Sequence, residues 1–120
     1  MPFKKVLAEL VETKLGVCSV IIADWEGEAV DWLSSELGDD DLKILGAHLG
    51  IVLRRLCGIV DREQAGAVEE VVIRTDGADW FVFPITPEYY LAVVAAQEGH
   101  RAEICTIAHR CVRLLQTEIA

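Results

Sequence analysis

Apolar positions first recur at a helical spacing. Phe3, Val6, Leu7, Leu10 and Val11 fall on one stripe, which predicts an amphipathic helix over residues 2–14. Pro2 suits its first turn and Gly16 its end. The pattern then becomes a continuous apolar run over residues 17–23, which has the length of a buried strand. Asp24-Trp25-Glu26-Gly27 supplies turn chemistry, and a second strand over 28–34 alternates, so it is expected to be less buried than the first. Helical spacing returns after three aspartates at 39–41, which suit the start of a helix through capping and through the helix dipole. That helix is expected to run to Cys57 and stop at Gly58. A polar loop at 61–64 leads to a strand over 67–75, and Asp76-Gly77 is a strong two-residue hairpin signal. Strands over 78–85 and 89–97 follow, with Pro84 and Pro87 marking the end of the first. A last helix spans 100–119, with Ile104, Ile107, Ala108, Cys111, Val112 and Leu115 on one side. The order α-β-β-α-β-β-β-α, rich in hairpins, predicts an α+β fold with a mainly antiparallel sheet in one domain over 1–120.

The second helix carries the most information. Leu42, Leu45, Leu49, Val52, Leu53 and Leu56 share one face, expected to rest on the sheet. Ile44, Ala47 and Ile51 lie opposite, with His48 and Arg55 beside them. Ile44 and Ile51 are seven apart and stack on one line, where the surface helix of a monomer would be polar. Gly46 and Gly50 cost helix propensity, about 1 kcal/mol each relative to Ala. They permit close approach, either of a second polypeptide or of the sheet. This face is expected to bind a second copy or a partner.

Composition supports burial against another protein. Hydrophobic residues make up 52% before the nine glycines are counted, against roughly 45–50% with glycine included in soluble domains. Apolar runs are too short to span a bilayer. The segment from Pro2 lacks the apolar stretch of a signal peptide, so a cytoplasmic location is expected. A net charge of −9 argues against nucleic acid and against an anionic membrane surface.

Candidate chemistry is sparse. Cys18, Cys57, Cys105 and Cys111 show no C-x-x-C spacing and are expected to be reduced. Cys105 and His109 stand four apart on the last helix, but a metal site would need further ligands such as His100, and Cys111 is displaced. Glu26, Glu28 and Asp31 make the first hairpin acidic, read as a solvated face. Neither G-x-x-x-x-G-K-[ST] nor G-x-G-x-x-G occurs. No cofactor, no metal and no active site are expected.

With the element order in hand, the chain resembles the roadblock/dynein-light-chain family, in particular its bacterial single-domain members. The carrying segments are Val20-Ile21-Ile22-Ala23-Asp24-Trp25-Glu26-Gly27-Glu28-Ala29-Val30, Asp41-Leu42-Lys43-Ile44-Leu45-Gly46-Ala47-His48 and Tyr89-Tyr90-Leu91-Ala92-Val93-Val94. The resemblance implies a five-stranded sheet with the second helix on one face and the first and third helices on the other. It implies a homodimer in which second helices pack together and third strands pair edge to edge. Onto this chain that maps Ile44, Ala47, His48, Ile51, Arg54 and Arg55 to the helix seam. Val68, Glu70, Val72 and Arg74 map to the paired strand. Pairing would also shield an exposed edge from aggregation. The resemblance further implies a regulator of a small Ras-like GTPase. A passive scaffold of a motor or signalling complex, or a small-ligand sensor built on Trp25, Trp32 and Trp80, are the alternatives.

Overall fold

A computed structural model describes residues 2–97 and 100–119. The elements are α1 (Pro2–Val11), β1 (Val17–Asp24), β2 (Ala29–Ser34), α2 (Asp39–Arg62), β3 (Val71–Arg74), β4 (Asp79–Pro84), β5 (Tyr89–Ala95) and α3 (Arg101–Ile119). They follow the order predicted from the sequence. The five strands form one antiparallel sheet in the order β2-β1-β5-β4-β3. β2 and β3 are therefore its edges.

Two cores explain the continuous apolar runs. Val20, Ile22, Phe81, Phe83, Leu91 and Val93 point to the face covered by α1 and α3. Ile21, Ala23, Val82, Tyr90 and Ala92 point to the face covered by α2. Strands buried on both faces have no side left for polar residues, so β1 and β5 read as unbroken hydrophobic sequence.

Several boundaries differ from the sequence reading. α1 ends at Val11, three residues early. The Thr13 hydroxyl donates to the Leu10 carbonyl at 2.8 Å, and Lys14 turns left-handed at φ 60°. α2 does not stop at Gly58 but continues to Arg62, and the chain turns left-handed only at Gln64, φ 56°. An isolated glycine weakens a helix without ending it. Asp39, Asp40 and Asp41 lie in the first turn, but the N-cap is Gly38, with no side-chain capping bond. Their contribution is charge at the positive end of the helix dipole.

β3 begins at Val71, not at residue 67, and ends at Arg74. Pairing with β4 starts at Val71↔Val82. Two residues earlier, Glu69 would stand opposite Pro84, which has no N–H to donate. Val52 was expected on the sheet face of α2 but is 37% exposed. The buried face holds Leu42, Gly46, Leu49, Gly50 and Leu53. Both glycines lie on it, so the helix is rotated towards them and Val52 swings outward.

The glycines serve close contact with the sheet. A Cβ on Gly46 would stand 3.1 Å from Ile21 Cγ2, and one on Gly50 would stand 2.2 Å from Tyr90 Oη. The Tyr90 hydroxyl donates to the Gly46 carbonyl at 2.9 Å. Burial, reinforced by the Asp24 carboxylate and opposed by Arg54, raises the Tyr90 pKa to about 12.

Candidate interface

The outward side of α2 is apolar. Ile44 is 56% exposed and Ile51 47%, and His48 and Arg55 are exposed between and beyond them. Because the helix runs on to Arg62, Ile59 extends the line at 48% exposed. From Ile44 to Ile59 the line covers about 22 Å at 1.5 Å per residue. The three isoleucines share this line with exposed His48 and Arg55.

The other residues expected at the seam are placed differently. Ala47 is half-buried, and its Cβ lies 3.3 Å from where a Cβ on Gly27 would be, so it seats α2 against the β1–β2 turn. The Arg54 guanidinium donates to the Trp25 carbonyl in that same turn. On β3, Val72 pairs with Phe81 and Arg74 with Asp79, so both side chains share the α3 face of the sheet, away from α2. Val72 is 37% exposed and Arg74 is exposed. Val68 precedes the strand and packs against the α2-side core. Glu70 also precedes it and pairs with His109 of α3 at 2.5 Å, and Cys105 Sγ donates to the same carboxylate at 3.5 Å.

The structure thus brings Ile44, His48, Ile51 and Arg55 into one line. Val72, Arg74 and Glu70 lie on the other face of the sheet, away from that line. Val52 and Ile59 are exposed on the same side of α2, where the sequence pattern does not place them. Ile59 fell beyond the expected helix end. Large apolar residues alone put Val52 on the sheet face; Gly46 and Gly50 are the signal that the buried face lies elsewhere.

The chemical candidates disperse. His100 pairs with Glu103 at 3.0 Å, while Cys111 is buried and its Sγ lies 3.8 Å from the Val6 carbonyl. Among the described residues no group of three or more His, Cys, Asp or Glu is arranged to hold a metal ion. Burial, then Glu70, raises the Cys105 thiol to about 11; burial, then Glu9, raises Cys111 to about 11. Asp31 is not a solvated carboxylate: it is 7% exposed and accepts from Lys4 Nζ at 2.5 Å. Trp25, Trp32 and Trp80 all pack against the α2-side core. Trp25 meets Tyr90 edge-on at 5.7 Å, and Lys43 lies 4.1 Å from the centre of the Trp32 ring.

No family model and no curated protein sequence matches the chain. Solved structures do. A roadblock/LC7 domain from Streptomyces avermitilis superposes with a TM-score of 0.87 at 19% identity, covering 96% of this chain and 95% of that one. The chain has the roadblock/LC7 fold. MglB from Myxococcus xanthus superposes with a TM-score of 0.88 at 9% identity over 99% of this chain and 95% of that one. A structure described as MglB with tetrameric arrangement gives 0.85 at 12% identity over 97% and 86%. Among the described residues no helix is long and apolar enough to cross a membrane.

Proposed function

We propose that this protein is a non-catalytic regulatory module that self-associates through α2 and the β3 edge and binds a small Ras-like GTPase. The exposed line Ile44–Ile51–Ile59 on α2 carries the reading, because it leaves three isoleucines in water unless a second polypeptide covers them. The free edge of β3 supports it, since unpaired backbone groups favour strand addition. The roadblock fold adds likeness to MglB, one of whose structures is described as tetrameric. The GTPase partner comes from the family resemblance. The nucleotide would sit in the partner, and the module would act by biasing the partner's mobile loops.

The test is direct. Purified protein is titrated with small Ras-like GTPases in the GDP state and in the GTP-analogue state, and single-turnover GTP hydrolysis is measured with and without it. Binding with faster hydrolysis is the expected outcome. Binding with an unchanged rate would make the protein a scaffold, and no binding in either state would remove the GTPase from the reading.

A further inference from the structure

A second surface lies beside the C-terminal part of α2, where Cys57, Gly58 and Asp61 face residues 66–68 and 84–87. β3 and β4 pair only from Val71↔Val82 onward. Residues 66–70 carry on from β3, and among the described residues no backbone hydrogen bond joins them to β4. The sheet is therefore split at this end. The split is an open-sided cleft of about 670 Å³, with residues 66–68 as one wall and 84–87 as the other. Trp25, Cys57, Gly58 and Asp61 line its α2 side. Gln116 closes the α3 side and donates to the Ile85 carbonyl at 2.8 Å.

Gly58 is the first clue to its use. It sits inside α2, where glycine costs about 1 kcal/mol relative to alanine. Unlike Gly46 and Gly50, it has nothing within 4 Å of a Cβ position. Packing within the chain gives no reason for a glycine there; keeping the cleft open does.

Charge is the second clue. A smaller hollow shares Trp25 and Pro87 with the cleft and adds Asp24, Glu26 and Glu88. Every charged residue lining the two hollows, Asp61, Asp24, Glu26 and Glu88, is acidic. The walls themselves offer apolar Val68, Pro84, Ile85 and Pro87, with the Trp25 ring beside them. The Arg54 guanidinium at the Trp25 carbonyl offsets one of the four acidic charges, and the remaining surplus of carboxylates attracts cations, to which an indole face adds cation–π attraction. Among the described residues no backbone hydrogen bond engages 66–68, so these groups can pair with an extended chain.

We propose that this cleft binds an extended segment of a partner protein in which lysine or arginine alternates with apolar residues. The segment lies between residues 66–68 and 84–87, with its cations on Asp61, Glu26 and Glu88 and its apolar side chains against Trp25 and the prolines. This inference stands apart from the α2 line and from the GTPase reading, and either can fail alone.

The probe is a short capped peptide of alternating Lys and Leu, with a Glu–Leu peptide of equal length as control. Binding to the full chain is followed by calorimetry and by amide and indole chemical shifts. We expect saturable binding of the Lys–Leu peptide that weakens with salt, and shifts at residues 66–68, 84–87 and the Trp25 indole. Gly58→Leu fills the cleft and Asp61→Lys reverses its charge; each is expected to weaken binding about tenfold or more, while Ile51→Glu leaves it unchanged. A Gly58→Leu melting temperature at or above the parent's assigns the loss to the filled cleft. Unchanged affinity in both variants, shifts mapping to the Ile44–Ile51 line, or no saturable binding would overturn the proposal.

Discussion

Gly50 shows how one missing carbon sets the spacing of two layers. Its hydrogen faces the Tyr90 ring, and an alanine there would place Cβ 2.5 Å from Tyr90 Cζ. Gly50→Ala is expected to destabilise the fold by about 1–3 kcal/mol through overpacking, read as a lower urea midpoint. Tyr90 provides a pH signature at the same contact. Its folded pKa is raised to about 12 from 10, so the fold favours the protonated phenol. The stability this contributes is complete below pH 10 and is lost as pH rises from 10 through about 12. The melting temperature should fall across that window, and Tyr90→Phe should flatten the fall while losing the bond to Gly46, about 1 kcal/mol. An equally steep fall in Tyr90→Phe would mean that another group drives it.

At the scale of the element, α2 is a helix with two working faces. Its inner face is narrow and rich in glycine, and its outer face carries Ile44, Ile51 and Ile59. Ile51→Glu places a carboxylate in the middle of the outer line without touching the core, since Ile51 is 47% exposed. Burying that charge across a seam is costly. The variant should keep the parental melting profile and sediment at 13.2 kDa where the parent sediments at twice that mass. A parent that is itself monomeric, or a variant whose mass is unchanged, would remove this face from the interface. The helix pattern and the outward pair Ile44 and Ile51 were legible in the sequence because a period of 3.6 residues is local. The full length of the line was not, since Gly58 reads as a stop until Ile59 to Arg62 are seen to continue the helix.

At the scale of the molecule, charge and apolar surface oppose each other. Each chain carries −9, so two copies repel, while the α2 lines attract through apolar burial. Screening shortens the reach of the repulsion to about 10 Å at 0.1 M salt. Self-association should therefore tighten as salt rises from about 0.01 to 0.15 M, measured by equilibrium ultracentrifugation. Weakening over the same range would mean that ion pairs, such as those open to Arg55 and Arg74, hold the copies together.

Element order, the antiparallel hairpins and the burial of β1 are legible in the chain alone. Those features follow from periodicity and turn chemistry within a few residues, and a pattern of period 2 or 3.6 needs no distant partner. The tertiary structure alone decided which flank of α2 is buried, because that depended on Tyr90 reaching two glycines 40 and 44 residues away. It also decided where β3 begins and where Glu70 goes. The first turns on Pro84 in the neighbouring strand, and the second on His109, 39 residues downstream. Contacts of that separation leave no periodic mark in the chain, so only the packed sheet and helices reveal them.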